Sequence, residues 1–171
     1  MSISRVFRLF IPRYAFREIT DVSFDFLEQL GAKLIMLDLD NTLAEYKEPG
    51  PPECVVKWVE DLKKQGMEMY IVSNSKRKER VETFGITLGV DVIIKARKPS
   101  PKSIFQAINA TGATVKESAL IGDQVFTDMI AANRAGVISI AVEPRRLTNP
   151  VHTIRYWLET PFRAMCKNKL Y

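Results

Sequence analysis

Residues 33–43 constrain the fold more than any other part of the chain. They begin with KLIML, a dense apolar run typical of a parallel strand that is buried on both faces. The run ends at Asp38 and Asp40, two acids separated by one residue. Side chains at the carboxyl end of a parallel strand enter the crevice where open α/β sheets bind ligands. Two such carboxylates repel each other unless a cation or a shared proton lies between them, so the pair requires a partner.

Three later segments also place polar side chains at the end of an apolar run or in the loop that follows. MYIVSN ends in a hydroxyl and an amide that can donate hydrogen bonds to an anion, ARKPSP supplies cations, and ALIGDQVFTD ends in acids. The polar residues of these segments are Ser73 and Asn74, Lys98, and Asp123 and Asp128. The strand ends therefore carry an acid pair, a hydroxyl, a lysine and an acid pair, in chain order.

Strand-like and helix-like segments alternate along the chain. Strands are predicted at 33–38, 68–73, 91–94, 118–122 and 137–142. Helices are predicted at 23–30, 53–65, 76–84, 101–111, 125–135 and 150–159. Pro161 should break or kink the last helix. This alternation predicts a doubly wound, three-layer, Rossmann-like α/β fold with a mainly parallel five-stranded sheet.

Length and composition indicate a globular protein. With 171 residues, 46% hydrophobic and 26% charged, the chain is expected to form one soluble domain over 1–171. It contains no apolar stretch near the roughly 20 residues that a membrane span requires. Arginines interrupt every apolar run of the N-terminus, unlike a secretory signal. We therefore expect a cytoplasmic protein. The oligomeric state is left open.

The net charge of +5 is concentrated at the two ends. Residues 1–17, in the basic segment and helix of 1–30, hold four arginines and no acid, and the helical segment 145–171 holds six cations and one acid. Aromatic residues interleave with these cations. One interpretation is that the aromatics pack on the sheet while the cations face water. The other is adsorption to an anionic membrane, placing the protein at its inner face.

Taken together, the four motifs resemble those of the haloacid dehalogenase (HAD) superfamily of phosphatases. The matching residues are DLDNTL at 38–43, Ser73, Lys98 and GDQVFTD at 122–128, within a region of about 33–144. The basic flanks further resemble the YqeG group of HAD subfamily IIIA, which is related to mitochondrial phosphatidylglycerophosphate phosphatases. The segments that could hold a cap domain are too short for one, so a HAD core without a cap is expected.

The resemblance implies a catalytic role for each motif residue. Asp38 would attack phosphorus to form an aspartyl-phosphate, and Asp40 would protonate the leaving oxygen and then activate water. Ser73 and Asn74 would bind the phosphoryl oxygens. Lys98 would contact the phosphate and neutralise charge on it and on Asp38.

A magnesium site is also implied. Its predicted residues are Asp38, Asp40 through its backbone carbonyl, Asp123, and Asp128, which could orient the others. Hard oxygen ligands suit Mg²⁺.

Two other features are given no catalytic role. Residues 75–80 (SKRKER) are interpreted as a solvated helix start, and His152 as a surface residue.

The predicted function is Mg²⁺-dependent hydrolysis of phosphate monoesters. A site without a cap suits a large or membrane-surface phosphate, such as phosphatidylglycerophosphate. Phosphates on nucleotides, nucleic-acid ends or small metabolites are the first alternative. The second is a HAD-fold protein without catalysis that binds RNA or ribosomes through its basic ends, which the intact acid set disfavours.

Overall fold

A six-stranded parallel sheet organises the residues that the computed structural model describes, 3–147 and 150–170, with side chains from residue 6 onward. The strands are β1 Tyr14–Phe16, β2 Leu34–Leu37, β3 Glu68–Ser73, β4 Asp91–Ile94, β5 Ser118–Gly122 and β6 Ile138–Val142. Their order across the sheet is β1-β6-β5-β2-β3-β4, and each neighbouring pair is parallel. The predicted doubly wound α/β fold is confirmed.

Helices cover both faces of this sheet. They are α1 Ile3–Arg8, α2 Phe24–Gln29, α3 Glu53–Lys64, α4 Lys78–Leu88, α5 Lys102–Thr111, α6 Ile130–Ala135 and α7 Pro150–Ala164. Strand β2 shows why two layers of helices are needed. Ile35 and Leu37 pack into one apolar cluster and Leu34 and Met36 into the other, as the alternation of a strand requires. No helix in the described ranges has the length and apolar character needed to cross a bilayer.

The sheet has one strand more than the five predicted. The additional strand, β1, is the last strand on its side of the sheet and pairs with β6, where Phe16 is opposite Val142; its other side forms a single bridge between Ala15 and Lys169. It is three residues long and lies between arginines, so its sequence carries no strand periodicity of useful length. Docking against β6 creates this strand.

The terminal aromatic residues pack largely on the protein itself. Phe10 stacks on Phe162 with ring centroids 4.9 Å apart, which joins the N-terminal segment to α7. Tyr14 and Phe16 each contact Phe26 of α2 edge-on. The packing interpretation therefore holds for these residues. It does not hold for the outward side of α7.

Helix α7 continues through Pro161, so of the predicted break or kink the break is wrong, and the kink stays a prediction. A proline inside a helix removes one hydrogen bond and costs about 3 kcal/mol. Buried polar contacts fix α7 on both sides of it. Glu159 Oε1 accepts a hydrogen bond from Phe126 N at 3.0 Å, and Arg163 Nη1 donates to Val142 O at 3.1 Å.

The carboxyl ends of β2, β3 and β5 open without a covering domain. Residues 38–52, between β2 and α3, contain turns and single bridges but neither a helix nor a strand, and 95–101 form the connection from β4 to α5. The predicted absence of a cap is confirmed for these segments.

Candidate active site

The first motif forms a tight turn directly after β2. Leu39 O accepts hydrogen bonds from Leu43 N at 3.1 Å and Ala44 N at 3.3 Å. Asn41 closes the turn with a φ of 65°, in the left-handed region that asparagine tolerates better than most residues. The turn sends its two acids in different directions. Asp38 is buried, and Asp40 lies at the rim of the site.

Three of the predicted acids form one buried group, which we call the acid cluster: Asp38, Asp123 and Asp128. One carboxylate oxygen from each lies within 4.8 Å of the others. The sheet register explains the meeting, because β5 pairs with β2 and Asp38 N donates to Ile121 O at 2.9 Å. Asp38 and Asp123 therefore leave adjacent strand ends side by side.

Lys98 supplies the positive charge of the acid cluster. Its Nζ lies 2.7 Å from Asp38 Oδ1 and 2.8 Å from Asp128 Oδ1. Asn74 fixes the lysine backbone, because its Oδ1 accepts from Lys98 N at 2.8 Å and its Nδ2 donates to Lys98 O at 2.9 Å. Lys95 and Arg97 are exposed, so Lys98 is the cation of this loop that enters the site. The predicted contact of Asn74 with a substrate phosphate stays a prediction.

The acid cluster contains three acidic groups and one basic group. Burial raises the pKa of Asp38 from 3.8 to about 7, although Lys98 acts in the opposite direction. Burial, followed by the carboxylates of Asp38 and Asp128, also raises the pKa of Asp123 well above its usual value. Burial alone would lower the pKa of Lys98, but Asp128 and Asp38 together raise it. One lysine thus faces three carboxylates, a group with room in its charge balance for a divalent cation.

Asp128 approaches the main chain more closely than sequence spacing suggests. It lies in a π-helical turn, Val125–Met129, between β5 and α6, where a continuous helix over 125–135 was predicted. Its Oδ2 accepts a hydrogen bond from Gln124 N at 3.1 Å. A Cβ on Gly122 would collide with this carboxylate, which explains why the motif begins with glycine.

Ser73 lies at the carboxyl end of β3, the neighbour of β2, and is buried. Its Oγ accepts a hydrogen bond from Ser75 N at 3.1 Å. The hydroxyl hydrogen therefore remains free to donate to a phosphoryl oxygen, as the predicted role requires.

Thr42 is a site residue that sequence reasoning missed. Its Oγ1 accepts from Asp123 N at 3.0 Å and lies 3.3 Å from Asp38 Oδ2 and 3.4 Å from Asp123 Oδ1. A hydroxyl has one hydrogen, so it donates to one of these carboxylates at a time. The available signal was its position in DLDNTL, four residues after Asp38.

Two arginines of the charged segment SKRKER also belong to the site. We call Arg77 and Arg80, with the Asp40 carboxylate that they share, the arginine rim. Asp40 Oδ1 accepts from Arg80 Nη1 at 2.6 Å and from Arg77 Nη2 at 3.2 Å. The Arg80 side chain is only 9% exposed, so the interpretation of this segment as a solvated helix start is wrong for Arg80, whereas Arg77 is 39% exposed. Arg77 directly precedes α4 and Arg80 lies in its first turn.

The same arginines tie the first-motif loop to α4. Arg80 donates to Glu48 O at 2.8 Å and to Glu45 O at 2.9 Å. Arg77 donates to Tyr46 O at 2.8 Å and lies over the Tyr46 ring, with 3.9 Å between guanidinium carbon and ring centroid. The loop that follows the acid pair therefore depends on α4 for its position.

Helix α7 closes one side of the acid cluster. Arg163, which is buried, donates to the backbone oxygen of Asp123. His152, in the first turn of α7, lies outside the acid cluster and contacts the Tyr46 ring edge-on at 6.1 Å. Burial, and then Arg155, lower the pKa of His152.

Comparison with known proteins agrees with this geometry. The sequence profile of the haloacid dehalogenase-like hydrolases matches residues 39–142. The chain is 34% identical over 137 residues to "Probable phosphatase YqeG" of Bacillus subtilis (strain 168), covering 80% of this chain and 79% of the relative. It is 24% identical over 147 residues to "Phosphatidylglycerophosphate phosphatase 1, chloroplastic/mitochondrial" of Arabidopsis thaliana, covering 78% of this chain and 41% of the relative.

Solved structures show the same fold at lower identity. One is the 3-deoxy-D-manno-octulosonate 8-phosphate phosphatase of Moraxella catarrhalis, in complex with a magnesium ion, a phosphate ion and KDO. It matches with a TM-score of 0.51 at 15% identity, over 83% of this chain and 94% of that one.

Proposed function

We propose that this chain, which belongs to the haloacid dehalogenase-like hydrolases and is a phosphatase of that family, hydrolyses phosphate monoesters through an aspartyl-phosphate on Asp38. One observation carries the proposal. The nucleophile candidate Asp38 shares a buried pocket with Lys98, at 2.7 Å, and with two further acids, while Asp40 lies two residues away at the rim.

In this mechanism, Asp38 and Asp40 take part in both half-reactions. In the first, an Asp38 oxygen bonds to phosphorus, the ester P–O bond breaks, and Asp40 gives a proton to the leaving oxygen. In the second, water attacks phosphorus, Asp40 takes its proton, and the bond to Asp38 breaks, releasing inorganic phosphate. Lys98 and the hydroxyl of Ser73 hold the phosphoryl oxygens in both.

Mg²⁺ fits the acid cluster. Its donors are carboxylate oxygens, which this hard cation prefers, and the cluster has three buried acids for one lysine. Asp38 and Asp123, with Asp128 or the Asp40 carbonyl, would hold the ion. When bound, it would offset negative charge on the transferring phosphoryl group. The magnesium ion in the Moraxella structure supports this choice of metal.

The proposed substrate class is a phosphate on a large or membrane-surface molecule, such as phosphatidylglycerophosphate. Three features support it: a site without a cap, the basic net charge, and the similarity to the Arabidopsis phosphatase. We place the protein in the cytoplasm, where it would act at the inner face of the membrane.

Release of phosphate from p-nitrophenyl phosphate tests the chemistry. We expect turnover that requires Mg²⁺, is lost on chelation, and falls at least about 10³-fold in Asp38→Asn, which keeps the fold. Activity of Asp38→Asn close to that of the wild type, in protein free of contaminating phosphatase, would contradict the nucleophile assignment. A screen of phospholipid, nucleotide and sugar phosphates with the same variant as control then tests the substrate class.

A further inference from the structure

The outward side of α7 is apolar, where a surface helix normally carries polar residues. Ile154, Trp157 and Leu158 are 62%, 69% and 60% exposed, and Met165 follows directly after the helix at 47%. Their spacing of three, four and eleven residues from Ile154 places them along one side of a helix. We call these four residues the outer stripe.

The orientation of α7 is fixed from the other side. Glu159 and Arg163, one turn apart, are both buried and bond to the backbone of Phe126, Val142 and Asp123. Turning the outer stripe inward would break these contacts and separate two charged groups from their partners. The exposure of the stripe is therefore a property of the packed fold.

The exposed charged residues of 145–171 are all cations, one of which, Arg146, also lies 3.4 Å from a carboxylate oxygen of Glu45. The one acid of 145–171 is Glu159, which faces inward. Exposed cations flank the stripe at both ends: Arg145, Arg146, Lys167 and Lys169. An apolar helix side that carries tryptophan and is bordered by cations matches the interface of an anionic bilayer, where the apolar side chains enter the headgroup boundary and the cations meet lipid phosphates.

Two other occupants fit less well. A symmetric pair of antiparallel α7 helices would bring Arg145 and Arg146 of one copy close to Lys167 and Lys169 of the other, so like charges would oppose the contact. Nucleic acid would meet the flanking cations, but its phosphates have no use for an apolar stripe.

We propose that the outer stripe docks on an anionic lipid bilayer, with α7 lying in the plane of the interface. The inference rests on the proposed function and specifies where its substrate would be met. The first turn of α7 borders the site, because the His152 ring contacts Tyr46, which lies under Arg77 of the arginine rim. Docking through α7 thus brings the arginine rim close to phosphates at the bilayer surface.

Tryptophan fluorescence provides a direct test. The chain has two tryptophans, and Trp58 is buried, with its Nε1 donating to Val22 O at 2.8 Å. Trp157 is therefore the reporter of lipid contact. With vesicles of equimolar phosphatidylglycerol and phosphatidylcholine, we expect a blue shift of emission that persists in Trp58→Phe and disappears in Trp157→Phe. Pure phosphatidylcholine vesicles and high salt should both weaken it.

Sedimentation with the same vesicles measures the contribution of the outer stripe. Ile154→Ser combined with Leu158→Ser should lower the partition coefficient at least about tenfold. The matched control is Ile86→Ser, which replaces an 82% exposed isoleucine on α4, outside the stripe. Circular dichroism spectra of all variants report whether they are folded.

Three outcomes would overturn the proposal. One is the absence of binding to anionic vesicles. Another is equal loss of binding in the stripe and Ile86 variants. The third is a dimer in the absence of lipid that Trp157→Ser converts to a monomer, which would assign the stripe to a second copy. Vesicle binding requires no turnover, so a failed phosphatase assay with intact binding counts against the proposed function alone.

Discussion

The acid cluster and the arginine rim each contain one acid of the first motif, Asp38 and Asp40, and differ in charge balance. In the acid cluster, three buried carboxylates face one lysine. At the arginine rim, one carboxylate faces two arginines. An excess of negative charge favours a cation and an excess of positive charge favours an anion. The proposed Mg²⁺ ion and the charged part of the proposed substrate would therefore meet opposite charge balances on the two sides of one turn.

The difference has its origin in burial and in the turn. Asp38 continues the path of β2 into the sheet edge, where desolvation raises its pKa. Asp40 directly precedes the bend at Asn41 and has an 18% exposed side chain, which Arg80 of α4 contacts. The two acids of one motif thus have different surroundings, although only one residue separates them.

The largest expected effect is the loss of Lys98. In Lys98→Met, the buried carboxylates lose their positive partner, so we expect activity to disappear and the unfolding free energy of the metal-free protein to fall by about 3–5 kcal/mol. Denaturant unfolding in chelator measures this change. Adding Asp128→Asn should restore part of the stability and none of the activity. If Lys98→Met unfolds like the wild type, the charge imbalance assigned to the acid cluster is wrong.

A smaller effect concerns pH. The pKa of Asp38 is raised to about 7, and that of Asp123 is raised as well, so both favour the protonated form in the metal-free fold. The stability that these groups contribute is complete below their unfolded pKa, near pH 4, and is lost as the pH rises through the folded values. We expect the unfolding free energy in chelator to fall between pH 4 and 7, with a slope of up to about 1.4 kcal/mol per pH unit for each proton.

Two controls isolate the acid cluster in that experiment. Asp123→Asn should make the pH dependence in chelator shallower, because one of the two groups no longer ionises. Adding Mg²⁺ to the wild type should reverse the loss above pH 5, since a bound cation favours the ionised carboxylates. A pH dependence that is unchanged in Asp123→Asn would assign it to other groups.

The sequence predicts the position of a site residue well when that position follows from the end of a strand. It predicts the position poorly when contact with a distant segment determines it. Asp38, Ser73 and Asp123 end or directly follow strands with continuous apolar sequence, so their meeting at one sheet edge follows from parallel topology. The arginine rim depends on contacts between the start of α4 and residues 40–48, and SKRKER has the same composition as a solvated helix start. Composition alone does not show that these contacts form.

The structure also differs from the prediction where tertiary contact overrides local preference. Strand β1 exists because β6 offers a free edge, and α7 passes Pro161 because Glu159 and Arg163 hold it on both sides. Strand β1 depends on a partner strand more than 100 residues away, and α7 depends on buried polar bonds. Neither kind of contact leaves a local pattern in the sequence.

The smallest effect separates the two arginines of the rim. Arg80→Met removes a 2.6 Å contact from Asp40 and two loop contacts, so we expect kcat to fall about 10- to 100-fold on an alkyl phosphate, whose leaving oxygen needs the proton that Asp40 supplies. Arg77 is more exposed and 3.2 Å away, so Arg77→Met should cost no more than about 3-fold. On p-nitrophenyl phosphate, whose p-nitrophenolate is a good leaving group, the decrease in kcat should be smaller for both variants. Asp40→Asn provides the reference for the dependence of kcat on the leaving group. If Arg80→Met shows a different dependence from Asp40→Asn, Arg80 does not act through Asp40.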